Sequence, residues 1–192
     1  AGGRELSQRL AKIETAISRR KTIQFSYYTM ERDATADRKV DPYHLVFRSG
    51  QFYLIGYAHE RDAVRVFRLS RIQGKVSYAS KAEHDFNPPE SFDRHDYGSR
   101  ADWQMGNVSG TARIFLRDRI DWLVEREYGE YGEIGPARNG DTKNGKGSVF
   151  ETEFASSRQL VAWLLGWRRH ATVLDPPELV AEAEERLELL RS

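Results

Sequence analysis

The chain of 192 residues contains no cysteine. Disulfides, thiolate nucleophiles and thiolate metal ligands are therefore excluded, and a reducing, cytoplasmic setting is the expectation. No apolar run approaches the roughly 20 residues of a membrane-spanning helix. Residues 1–20 are polar and amphipathic, unlike a secretory signal with an apolar centre. The opening Ala1-Gly2-Gly3 fits a cloning remnant, which would let the natural protein extend further N-terminally. The five histidines are scattered without zinc-type spacing. No P-loop, dinucleotide-binding glycine pattern or G-x-S-x-G elbow occurs, and the glycines of 140–147 lack a flanking strand and helix. Asp33, Asp37 and Asp62 fall in predicted turns and leave a carboxylate pair open. The expectation from these absences is a binding module with no cofactor or metal, not an enzyme.

What is present is enough for packed cores: 39% hydrophobic and 11% aromatic residues. The net charge of +1 hides an asymmetry. Residues 1–80 hold 15 Lys and Arg against 8 Asp and Glu, a balance of +7, and residues 81–192 hold 15 against 21, a balance of −6. A basic N-terminal half suits a polyanion-binding surface, and equally a solvated face or an interface with the acidic half of a second chain.

Leu6, Leu10, Ile13 and Ile17 recur at helical steps, which predicts an amphipathic helix over 4–20. From Thr22 the period becomes two, with Ile23, Phe25 and Tyr27 alternating with polar positions. A charged turn over 31–38 separates this strand from a second over 39–47, where Pro42 implies an edge or a bend. Ser49-Gly50 turns into a strand over 51–59, and further strands follow over 64–72 and 75–80. Five short strands after one helix predict a small β-barrel or strongly curved sheet. Residues 82–110 have poor periodicity and read as a linker, although Phe86, Phe92, Tyr97 and Trp103 suggest that it packs on something. The rest reads as strand 111–116, helix 117–128, short strand 129–134, a hairpin tip over 135–147 with two Asn-Gly pairs, strand 149–154, helix 159–168, strand 171–174 and helix 177–190. Ser156 or Ser157 is expected to cap the second of these helices, and Asp175 the last. The order β-α-β-β-α-β-α suggests a ferredoxin-like α+β domain. The divisions are thus 1–81, a linker 82–110, and 111–192.

The stretch 41–72, DPYHLVFRSGQFYLIGYAHERDAVRVFRLSRI, resembles the core of a WYL domain, with Phe52-Tyr53-Leu54 at the position of the name-giving Trp-Tyr-Leu. Pro42 before an apolar strand, Leu45-Val46-Phe47-Arg48, and Arg65-Val66-Phe67-Arg68-Leu69-Ser70-Arg71-Ile72 complete the pattern. The second half resembles the WCX extension of such proteins, through residues 112–128, Trp163-Leu164-Leu165-Gly166, Ala171-Thr172-Val173-Leu174 and the last helix. The resemblance implies an Sm-like or SH3-like barrel and a bacterial transcription regulator. Its winged-helix operator-binding domain would lie outside these residues. It also implies homodimers through the C-terminal domain, nucleic acid or nucleotide effectors including single-stranded DNA, and for several relatives a DNA-damage response.

Single-stranded nucleic acid needs cations for its backbone and flat rings for its bases. Arginine supplies a planar fork that grips phosphate through two parallel bonds. On a strand over 64–72, Arg65, Phe67, Leu69 and Arg71 share one face and Arg68 lies on the other. The resemblance favours Arg68 and Arg71 as ligand contacts over internal ion pairs. Arg65 and Arg48 join them, Arg48 equally readable as a loop charge. Tyr53, Tyr43, His44, Tyr57 and His59 offer rings, although Tyr53 and Tyr57 also read as core aromatics and both histidines as ordinary surface residues. Arg168 and Arg169 form a secondary basic cluster after a helix, where compensation of the helix dipole is the plainer role. The alternative to a nucleic-acid ligand is a protein-protein dimerisation module.

Overall fold

The computed structural model describes residues 2–117, 119–141 and 146–192. The second Asn-Gly pair of the expected hairpin tip lies outside them. The chain divides into two compact units, Ala1–Ser99 and Arg100–Ser192. Both are α+β with antiparallel sheets. No described helix is long and apolar enough to cross a membrane.

The first unit opens with helix α1 (Gly2–Arg19), which buries Ile13 and Ala16. Five strands follow: β1 (Ile23–Thr29), β2 (Ala34–Arg48), β3 (Gln51–Ala58), β4 (Ala63–Arg68) and β5 (Ile72–Tyr78). Their order across the sheet is β4-β3-β2-β1-β5. The expected barrel is not closed, since no ladder joins β4 to β5 among the described residues. Only the 3₁₀ turn Leu69–Arg71 separates these two edge strands in sequence. Four strand spacings in a flat sheet would span about 19 Å, more than the roughly 14 Å that four residues can reach. The sheet must therefore curl until its edges approach.

The turn also ends the alternation predicted for 64–72. Up to Arg68 the faces alternate; beyond it, Leu69 and Ile72 both enter the core. β2 begins at Ala34, inside the stretch expected to be a turn. Its polar first half has no hydrophobic period and is held by the β1 ladder, with Tyr27 opposite Ala36. At Val40 the strand changes partners, pairing with Ile23 on one side and Ala58 on the other. A register shift between Pro42 and His44 bends it there. Gly56 lies opposite the bend, where an added Cβ would stand 2.4 Å from the Asp41 carbonyl. Ile23, Phe25, Val40, Leu54, Phe67, Leu69 and Ile72 form the core beneath α1.

The first part of the expected linker belongs to this unit. Lys21 is buried and pairs with Asp85 at 3.1 Å. It also donates to the carbonyls of Ser80, at 3.2 Å, and Ala82. The Thr22 amide and the Ser80 hydroxyl donate to the same carboxylate. A short helix α2 (His95–Gly98) ends the segment.

The second unit runs β6 (Gly110–Arg117), α3 (Asp121–Tyr128), β7 (Glu133–Pro136), β8 (Gly147–Phe154), α4 (Ser157–Gly166), β9 (Ala171–Asp175) and α5 (Pro177–Arg191). The sheet order is β7-β8-β6-β9, antiparallel throughout. Ile114, Leu116, Phe150, Leu160, Leu164 and Leu179 are shut from solvent between sheet and helices. Ser156 caps α4 as expected, its hydroxyl accepting from the Gln159 amide at 3.2 Å. Asp175 does not cap α5: it ends β9 opposite Arg113, and Pro176 takes the cap position.

Lys21→Met removes the ammonium partner of the half-buried Asp85, so a loss of about 1–3 kcal/mol is expected in urea unfolding, with part restored by adding Asp85→Asn. Burial pushes the Asp85 carboxyl up, but hydrogen bonds from Ser80 and Thr22 and the Lys21 ammonium outweigh it and hold it below the usual aspartate value. The pair's contribution is therefore full above about pH 4. It is lost as pH falls through the depressed pKa, and an acid titration of stability should show this for the wild type and not for the double variant.

Candidate nucleic-acid interface

One face of β3 carries Gln51, Tyr53, Ile55 and Tyr57. Across it, Tyr53 faces Arg68 and Val46, and Ile55 faces Val66 and His44. Tyr53, Ile55, Val46 and Val66 are all buried, although they lie outside the cluster under α1. The segment that Lys21 anchors supplies cover. Phe86 and Phe92 pack on the Tyr43 ring at centroid distances of 5.8 and 5.1 Å, and Tyr97 stacks on Phe92 at 5.8 Å. The Arg48 guanidinium donates to the Gly98 carbonyl, tying the β2–β3 hairpin to α2. The charge of Arg94 is felt at His44.

Arg68 ends β4 at this face. Its amide donates to the Tyr27 hydroxyl at 3.0 Å and its Nε to Gln51 Oε1 at 3.2 Å. Arg71, at the other end of the 3₁₀ turn, reaches only the Met30 sulfur, at 3.4 Å. Neither guanidinium has a carboxylate partner among the described residues. A half-buried arginine without an acid keeps its full charge available to an anion. The hydroxyl of Tyr28, held up chiefly by its hydrogen bond to Asp33, feels Arg71 as an opposing charge.

Tyr53 stands opposite Arg68, but Arg65, Tyr57, His59, Arg168 and Arg169 do not gather with these two. Arg65 lies opposite Gly56 on the Phe67 face, turned away from Arg68, and its buried Nε meets no acceptor among the described residues. Tyr57 and His59 contact each other at 5.3 Å but serve internal partners. The Tyr57 hydroxyl donates to Asp62, and His59 Nε2 sits 2.8 Å from Asp41 Oδ1, which also accepts from Thr22 at 2.6 Å. Arg168 and Arg169 are exposed in a 3₁₀ turn of the second unit. Gln51, Arg94 and the ring series of 86–97 were not nominated from sequence; the aromatics scattered through the presumed linker were the only signal.

The second unit holds a cleft of about 330 Å³ lined by Gln104, Thr111, Tyr131 and three glutamates, Glu133, Glu151 and Glu153. Its charge would repel phosphate. No described cluster of three or more His, Asp or Glu side chains could hold a metal.

A family model described as the WYL domain matches residues 8–75, and one described as the WCX domain matches 109–190. The chain is 28% identical over 174 residues to Protein PafB of Mycobacterium tuberculosis, covering 90% of this chain and 50% of that protein. It is 40% identical over 62 residues to the uncharacterised HTH-type transcriptional regulator YobV of Bacillus subtilis, covering 32% and 20%. It spans about half the length of the PafB relatives it matches. A solved CRISPR Cas-related protein shares the fold, with a TM-score of 0.55 at 15% identity over 97% of this chain and 52% of that one.

Burial first, and then the positive charge of Arg94, pull the His44 pKa below 6.5. His44 thus favours the fold in its neutral form, and that contribution fades as pH falls below about 6.5 through the depressed value. An NMR titration should give a midpoint below that of a free histidine, and Arg94→Ala should move it upward.

Proposed function

From a chain that belongs to the WYL-domain family and carries a WCX domain behind it, we propose an effector-sensing and dimerising module of a bacterial transcription regulator. The reading is of a binding module, not an enzyme, working in the cytoplasm. Its ligand is single-stranded DNA or another oligonucleotide or nucleotide, held on the first unit. The observation that carries this is the pair Arg68 and Arg71: two guanidiniums without acid partners among the described residues, at either end of one turn, the first beside Tyr53. Phosphate would bind these cations. The curled five-stranded sheet is read as an Sm-like arrangement and the second unit as ferredoxin-like. The HTH-type name of one relative supports a DNA-binding domain elsewhere in the full-length protein, and the family suggests a role in the DNA-damage response. A ligand that prefers one arrangement of two subunits would then shift the attached DNA-binding domains.

Fluorescence anisotropy with short labelled single-stranded DNA at several salt concentrations tests this. Log K should fall with log salt by about 0.7 per neutralised phosphate. Arg68→Ala with Arg71→Ala should flatten that slope by about 1.4 and leave the melting temperature nearly unchanged. Absence of binding at low salt together with strong self-association would replace this reading with a protein-protein module.

A further inference from the structure

Trp103, almost fully buried, is the floor of a ring cluster in the second unit. Trp163 packs on it at 4.8 Å, with Tyr128 at 6.0 Å and Tyr131 at 5.9 Å. Trp167 extends the cluster, 6.0 Å from Trp163 and 6.3 Å from Tyr128. The floor is satisfied, since Trp103 Nε1 donates to Thr152 Oγ1 at 3.0 Å. The upper layer is not. Tyr128, Tyr131, Trp163 and Trp167 stay half-buried, and Trp163 Nε1 is enclosed with no acceptor among the described residues. The same holds for Nδ1 of His170, in the turn just past Trp167. An enclosed polar atom without a partner has given up water and gained nothing. Beside them Tyr128, Trp163 and Trp167 are left half-covered, an aromatic surface open to a further molecule.

The chemistry of the occupant follows from what surrounds it. The rings call for a flat, polarisable body. Arg168 and Arg169, exposed and without an acid partner among the described residues, follow Trp167 directly and call for an anion. On the Tyr131 side the cluster borders the cleft of Glu133, Glu151 and Glu153, which excludes an anion there.

We propose that this ring cluster is a second nucleotide subsite, taking one unpaired base against Trp163, Trp167 and Tyr128 and its phosphate on Arg168 and Arg169. The ligand class rests on the nucleic-acid reading above; the site itself stands on the second unit alone.

The test uses the full chain and labelled oligo(dT) of about ten nucleotides, with anisotropy read beside tryptophan emission. The wild type should bind with quenching of tryptophan emission. Arg168→Ala with Arg169→Ala should weaken binding about tenfold. Trp167→Ala, which removes one stacking ring, should weaken it about tenfold and remove much of the quenching. Thermal melts identify any variant that has merely lost its fold. If both variants bind and quench like the wild type while the Arg68 and Arg71 variant does not bind, the subsite is wrong and the sheet reading stands. If the Arg68 and Arg71 variant binds normally and the Arg168 and Arg169 variant does not, the subsite stands and the sheet reading falls. No binding by the wild type at about 50 mM salt overturns both.

Discussion

A single buried ammonium organises the first unit. Lys21 sits at the start of β1 with almost no exposure, and its charge is met by Asp85 and by carbonyls of the chain around Ser80 and Ala82. Once those bonds are made, the chain leaving β5 must run back across the sheet. That return brings Phe86, Phe92 and Tyr97 over Tyr43 and places Gly98 where Arg48 reaches it. The second face of β3 is thereby dry enough to bury Ile55 and Tyr53. An unpaired charge in that position would be far more costly than an exposed one, so the segment and the sheet stand or fall together.

The curl of the sheet is the second constraint. Three residues link strands at opposite edges, and the 3₁₀ turn that achieves this has Arg68 just before it and Arg71 at its end. The same turn that bends the sheet sets two cations beside its edge. Neither has a carboxylate partner among the described residues, whereas Tyr57 and His59 do. Tyr57 and His59 already have partners in Asp62 and Asp41, and Arg65 faces the other way. A ring with a polar tip commonly spends that tip on a neighbouring acid, as Tyr57 and His59 do.

The two units differ in what they offer an anion. The first presents Arg68 and Arg71, with no carboxylate partner among the described residues; the second combines an acidic cleft with an arginine pair at the end of α4. Charge counts for each half carry its sign but not this local reversal. Glu133 and Glu151 face each other across the β7–β8 ladder, and Arg113 pairs with Glu151 and Asp141, so the acids gather on one patch while Arg168 and Arg169 stay outside it.

Most elements were legible because their signals are local. The three- and four-residue steps of Leu6 to Ile17, the alternation of Ile23 to Tyr27 and the Ser156 cap are each written within a few residues. The first half of β2 was not legible, since Thr35, Asp37 and Lys39 form a strand only because β1 lies beside them. The same limit governed the site. The sequence by itself determined that arginines and aromatic residues would crowd the strands of the first half, and that thiolate chemistry was excluded. Which arginine faces which way, which acid claims which side chain, and that a presumed linker supplies the cover were decided by tertiary structure. These depend on contacts between residues 17 to 63 positions apart, and no local period carries that information.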